Sequence, residues 1–131
     1  MPEARAIPTT TYQSYRAKVS DGKSVRVTVP ENTAIEDQQF YEIDGFFGPA
    51  MQSVVTEAGE TSEVILNIEQ AEYETNQIQT TKAFKVGDPI YFTAGKFTPE
   101  AGVEGANRLV GRVTQGKDQN NVIWFILGPQ V

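Results

Sequence analysis

Short stretches of alternating apolar and polar residues, separated by turn residues at intervals of about ten positions, most constrain this fold. Ser24 to Val29 alternates valines with polar residues, and Pro30 follows it. A period of two is typical of half-buried β-strands. Similar runs recur toward the carboxyl end, at residues 90–93, 108–114 and 122–127. With no internal repeat or linker, the pattern predicts an all-β fold, a small single-domain β-barrel or β-sandwich.

Two segments have patterns that allow more than one interpretation. Glu63 to Tyr73 combines a Val64/Leu66/Ile68 alternation with a helix-forming composition after Glu69. The neighbouring β signals favour strand there. Val122–Leu127 is apolar on both faces, which is typical of a central strand or of a strand buried at a subunit contact.

The first fourteen residues predict an extended N-terminal arm (residues 1–14) ahead of a β domain (residues 15–131). Prolines and a run of threonines disfavour helix in this segment. Tyr15, Ala17 and Val19 would share one face of a strand that the Asp21-Gly22 turn joins to the next strand. The arm is either a disordered terminus or a segment that orders by adding a strand to a partner. In the second case its binding residues are Ile7, Pro8, Tyr12 and Tyr15.

The chain has no cysteine and no histidine, which excludes several kinds of active site. The usual zinc, iron–sulfur and haem ligands are missing, as are thiol nucleophiles and serine triads with a histidine base. Carboxylate pairs that could serve as acid and base are better explained as solvated charge. The 118–121 segment offers oxygen ligands for calcium but lacks a closing carboxylate, so it is better explained as a hairpin turn. We therefore expect no catalytic residues, no cofactor and no metal site. The carboxylate pairs are Glu36/Asp37, Glu42/Asp44 and Glu72/Glu74.

The charge of −6 is unevenly distributed. Residues 27–81 contain eleven acidic and no basic residues, whereas the two flanking segments carry +3 and +2. This pattern argues against nucleic-acid binding and indicates either faces of opposite sign or a solvated acidic surface. Arg108 and Arg112, four apart on one strand, are expected on one face, against an acidic partner or the acidic middle segment. The longest apolar run is too short to span a bilayer, and the N-terminal octet MPEARAIP lacks a signal pattern, so we expect no membrane contact.

The order of these segments resembles a known family. An Asp-Gly turn precedes a valine-rich strand, which is followed by a Phe-Phe-Gly-Pro segment and an acidic strand. After these, a Val-Gly-Asp-Pro-Ile-Tyr segment leads to a Leu-Val-Gly-Arg-Val strand and then to a closing apolar strand. Over roughly residues 18–127 this arrangement is similar to the small capsid decoration, or cement, proteins of tailed bacteriophages. The segments are Ser24–Pro30, Tyr41–Pro49, Phe84–Phe92 and Leu109–Val113.

The resemblance implies a non-enzymatic virion protein, made in the host cytoplasm, on the outer surface of the capsid. Its partners would be the major capsid protein and further copies of itself, with a trimer favoured. The longer arm and the acidic middle segment depart from typical members. The alternatives are another virion β module (a connector, a tail-associated protein or a carbohydrate-binding domain) and a hydrolase built on Asp and Glu.

Overall fold

The computed structural model describes residues 17–131, which form eleven β-strands and one 3₁₀ turn at Val103–Gly105. These residues contain no α-helix. The strands are β1 (Ser24–Val29), β2 (Ala34–Ile35), β3 (Phe40–Ile43), β4 (Phe46–Pro49), β5 (Val54–Val55), β6 (Ser62–Asn67), β7 (Glu72–Thr75), β8 (Pro89–Thr93), β9 (Lys96–Thr98), β10 (Arg108–Gln115) and β11 (Ile123–Leu127). The all-β prediction is confirmed.

The largest sheet has five antiparallel strands in the order β7-β11-β10-β8-β9. Its inner face supports the larger of two apolar cores. Ile123, Phe125 and Leu127 of β11 are buried in this core, while Trp124 and Ile126 point to the opposite, outer face. The closing apolar strand is therefore the second strand of this sheet, with neighbours on both sides.

The remaining strands surround a second, smaller core. β1 pairs with β6, β2 with β5, and β3 with β4, all antiparallel. Val27 and Val29 from β1 meet Val64 and Leu66 from β6, and Ala50 extends the contact. Gly48 of β4 lies so close to β6 that an added Cβ would collide with the carbonyl oxygen of Asn67.

The β3–β4 hairpin joins the two cores. Its two-residue loop, Asp44-Gly45, has positive φ at both positions, as a type I′ turn requires. Phe40 and Phe47 enter the larger core, where both pack near Phe97 with ring centroids 5.2 and 5.7 Å away. Neighbouring apolar residues of the hairpin pack against the smaller core instead: Tyr41, Ile43 and Phe46.

Two glutamine side chains hold this hairpin where no strand pairs with it. The Phe40 N–H donates to Gln77 Oε1 and Gln77 Nε2 donates to the Phe40 carbonyl, both at 2.8 Å. Gln130 repeats the arrangement on Phe47, at 2.8 and 3.0 Å. Each amide thus supplies the donor and acceptor that a neighbouring strand would have supplied.

The structure agrees with most of the strand predictions. β1 matches its predicted bounds, and the Glu63–Tyr73 region is indeed extended, although residues 68–71 separate it into β6 and β7. The predicted strand before the Asp21-Gly22 turn is wrong over residues 17–19. Ala17 has positive φ and Val19 is exposed, so this stretch does not pair with β1.

We predict that Gln77→Ala lowers the free energy of unfolding by about 2–4 kcal/mol, because it leaves the Phe40 N–H and carbonyl unpaired in a half-buried site. Urea unfolding measures the change. Gln70→Ala, at an exposed position, is the control and is expected to change stability by less than about 0.5 kcal/mol. Equal stabilities of the two variants would contradict a structural role for the Gln77 amide.

Candidate interaction surfaces

The predicted arm residues Ile7, Pro8, Tyr12 and Tyr15 lie outside the described residues, as does the predicted boundary between residues 14 and 15. The surfaces that can be described belong to the β domain. They are the outer face of the five-stranded sheet, the charged edges of the smaller core, and a groove beside β2.

The outer face of the five-stranded sheet is apolar along its β11 strand. Trp124 is 40% exposed and Ile126 is 47% exposed. In the register of the sheet, Ile126 lies between Glu72 of β7 and Arg112 of β10. Trp124 lies beside Glu74 in the same way. The apolar strand β11 thus lies between a strand that carries two acidic residues and a strand that carries Arg112, and the Glu72 side chain extends across β11 to β10.

Short, charge-assisted hydrogen bonds hold the charged groups of this face. Glu72 Oε2 accepts a hydrogen bond from Thr114 Oγ1 at 2.6 Å. Arg112 Nη1 donates to the Gly87 carbonyl, also at 2.6 Å. Both charged side chains are exposed, so a partner can reach them.

The prediction that Arg108 and Arg112 share a face is wrong. The register of β10 against β8 shifts between Leu109 and Gly111, a β-bulge. Arg108 consequently aligns with the buried Phe92, on the inner side, whereas Arg112 aligns with the exposed Ile126. One extra residue reverses the alternation of side chains. Gly111, an isolated glycine within the strand pattern, is the sequence signal that could have indicated the bulge.

Arg108 contacts the acidic middle segment, as one of the two sequence interpretations proposed. Its Nη1 lies 3.1 Å from Glu42 Oε2 and donates to the Gly45 carbonyl at 2.9 Å, so it binds the end of the β3–β4 hairpin. Arg26 makes a similar pair with Glu63 of the neighbouring strand, at 2.9 Å.

Several other acidic side chains of the middle segment have structural roles. Asp44 Oδ2 accepts the Thr28 N–H at 2.8 Å, Glu31 accepts the Gly59 N–H, and Glu60 accepts the Glu57 N–H. Asp118, in the turn before β11, accepts the N–H groups of Asn120 and Val122. Residues 17–131 contain no group of three or more acidic side chains placed to hold a metal ion.

An apolar groove of about 560 Å³ lies between β2 and the β3–β4 hairpin. Pro30, Ile35 and Ile43 line it, with Glu42 and Asp44 also present. Both carboxylates already bind other groups of the protein, since Glu42 pairs with Arg108 and Asp44 accepts the Thr28 N–H.

The environment of the Tyr73 ring shifts the pKa of its hydroxyl. Its ring packs on Phe125 and Phe40, and its hydroxyl donates to the Glu69 carbonyl at 2.8 Å. Burial raises the pKa of Tyr73, and the Glu69 carboxylate raises it further.

Comparison with known protein families finds a match over most of the chain. The family model for phage cement proteins matches residues 19–128, nearly all of the described β domain. The chain belongs to the phage cement protein family. No curated protein and no solved structure matches it. The resemblance noted from the sequence is thus confirmed.

Membership of the cement protein family makes the chain a structural component of phage capsids. The described residues include no helix long and apolar enough to cross a membrane. The arrangement of charged and apolar residues on the outer face was not predicted from the sequence. The sequence shows that Glu72 and Glu74 alternate along one strand and Trp124 and Ile126 along another. That these residues lie side by side depends on the pairing of β7 with β11, which the sequence does not show.

We predict that the cement protein loses stability above about pH 10 partly through Tyr73. Its pKa is higher in the folded state than in the unfolded state, so the folded chain keeps a proton that the unfolded chain releases. This stabilisation is present below the unfolded pKa and is lost as the pH rises through the folded pKa. Urea unfolding from about pH 8 to about pH 11 should show a steeper decline for the wild type than for Tyr73→Phe. Parallel curves would refute the assignment.

Proposed function

We propose that this cement protein binds the outer surface of an assembled phage capsid and stabilises it by bridging capsid subunits, without catalysing a reaction. The family match over residues 19–128 is the observation that carries this proposal. The chain's lack of histidine and cysteine, and the structural use of many of its carboxylates, agree with a binding role. We place its synthesis in the host cytoplasm and its final position on the virion.

The physical basis of such bridging is multivalency. A protein that contacts two neighbouring capsid subunits makes its second contact at a high effective concentration. Individually weak contacts then combine into a stable attachment. The compact β domain, with two cores joined through one hairpin, suits a rigid bridge between subunits.

The N-terminal arm is our proposed leading contact with the major capsid protein. An extended segment that adds a strand to an exposed sheet edge gains main-chain hydrogen bonds, and its side chains provide specificity. Ile7, Pro8, Tyr12 and Tyr15 would be the binding residues.

Self-association is a further part of the proposal. The observation that supports it is the exposed apolar side of β11, formed by Trp124 and Ile126. The trimer favoured from the sequence stays a prediction, which light scattering of the purified protein measures directly.

Co-sedimentation with undecorated, expanded capsids of the same phage tests shell binding. The proposal predicts saturable binding in a fixed ratio to the capsid protein, at low and at moderate salt. A lack of binding under both conditions would contradict it, and the connector, tail-associated and carbohydrate-binding alternatives would then replace it.

Deleting residues 1–14 is predicted to weaken shell binding at least tenfold, because the arm supplies the proposed strand addition. The same co-sedimentation measures the effect. Thr9→Ser/Thr10→Ser, which keeps the arm and its proposed binding residues, is the matched control. If the deletion variant binds as tightly as the wild type, the arm is not the leading contact, and a face of the β domain must provide it.

A further inference from the structure

Strand β7 is an edge strand of the five-stranded sheet, and within residues 17–131 it pairs with β11 alone. The Leu127 N–H donates to the Ala71 carbonyl, which fixes the positions of the hydrogen-bonded pairs in this ladder. In an antiparallel ladder such pairs occur at every second residue. The main-chain groups of Tyr73 therefore point toward β11, whereas those of Glu72 and Glu74 point away from it.

The outward side of β7 is open. No group among residues 17–131 pairs with the outward N–H and carbonyl groups of Glu72 and Glu74. Such a row of unpaired groups is a template on which another strand can pair. Both side chains are exposed, and while Glu72 accepts a hydrogen bond from Thr114, Glu74 has no polar partner within the described part of the chain.

Two pockets flank this edge. The first, of about 230 Å³, lies between Glu72, Glu74 and Trp124. The second, of about 220 Å³, lies at the carboxyl end of β7, where Thr75 approaches residues 38–39. The side chains of Glu74 and Thr75 point to opposite faces of the sheet, so a strand added here would present alternate side chains to the two pockets. In strand addition, main-chain hydrogen bonds provide affinity and such pockets provide specificity.

The chemistry of the first pocket favours a basic side chain. The carboxylates of Glu72 and Glu74 belong to the same pocket as the indole of Trp124, which is 40% exposed. An indole face attracts the cation of a lysine or arginine, and a carboxylate forms a charge-assisted hydrogen bond with it. Neither pocket is lined by a lysine or arginine from residues 17–131. The cation must therefore come from the partner.

We infer that the β7 edge accepts an extended, basic segment of the capsid protein as a sixth strand of this sheet, with a lysine or arginine in the pocket formed by Glu72, Glu74 and Trp124. The inference rests on the proposed capsid binding and does not depend on self-association. Bridging requires two contacts with the shell. The β7 edge supplies one that belongs to the β domain and is separate from the arm.

Charge variants of Glu74 test the pocket in the full-length protein. Glu74→Lys is expected to weaken binding to undecorated, expanded capsids of the same phage by roughly tenfold, and Glu74→Gln by less. Glu57→Lys makes the same change in net charge at an exposed position outside the sheets and should bind like the wild type. Charges at a sheet edge can also serve only to prevent unwanted pairing. In that case Glu74→Gln would keep the full affinity for capsids, which would contradict the inference.

Glu74→Pro tests the main-chain pairing. Proline removes the outward N–H of this residue and leaves the hydrogen bonds to β11 in place. This variant should bind capsids more weakly than Glu74→Gln, which also lacks the charge but keeps the N–H. Urea unfolding of both variants verifies that each is folded.

Hydrogen exchange of the wild type gives a readout that needs no variant. The amides of Glu72 and Glu74 should exchange at least about tenfold more slowly in the capsid-bound protein than in the free protein. Unchanged exchange at both residues in the bound protein would contradict strand addition at this edge.

The arm deletion separates two possible occupants of the edge. If a capsid segment binds there, Glu74→Lys should lower capsid affinity by the same factor with or without residues 1–14, because independent contacts are additive in free energy. If Glu74→Lys has no effect once the arm is deleted, the arm itself occupies the edge and the inference is wrong.

The failure of this inference is distinguishable from the failure of the proposed function. Wild-type protein that binds capsids while every Glu74 variant binds equally well would overturn the β7 contact and leave capsid binding in place. Wild-type protein that does not bind capsids would overturn both.

Discussion

The pairing of the β3–β4 hairpin by glutamine side chains is the interaction on which the rest of this structure depends. The hairpin places Phe40 and Phe47 in the larger core, and its other apolar residues pack on the smaller core. Its outer main-chain groups at Phe40 and Phe47 are paired by the Gln77 and Gln130 amides. Without those amides, inserting the two phenylalanines would leave main-chain donors and acceptors unpaired beside an apolar core. One hairpin therefore contributes side chains to both cores and links them.

Local patterns in the sequence predicted the elements that local physics determines. The valine alternation of β1 and the Asp44-Gly45 turn needed only the period of a strand and the preference for positive φ. The role of Gln77 was not predictable in this way, because its amide binds a residue 37 positions away. The β10 bulge had a local signal in Gly111, but the faces on which it leaves Arg108 and Arg112 depend on the register against β8 and β11.

The same distinction applies to the interaction surfaces. The sequence showed an acidic middle segment. It did not show that Glu42 pairs with Arg108 or that Asp44 accepts a hydrogen bond from the Thr28 N–H. It also showed that β11 is apolar on both faces, and the structure separates these faces into a buried side and an exposed side. The exposed side obtains its flanking charges from β7 and β10, which are distant in sequence. Folding thus brings residues from three distant segments together on one sheet face.

The central claim is that this cement protein stabilises the capsid to which it binds. Calorimetry of undecorated, expanded capsids, with and without a saturating amount of the protein, tests that claim most directly. The account predicts that the dissociation transition of the shell moves to higher temperature and that the shift saturates with the bound protein. Bound protein that leaves the transition temperature unchanged would contradict it.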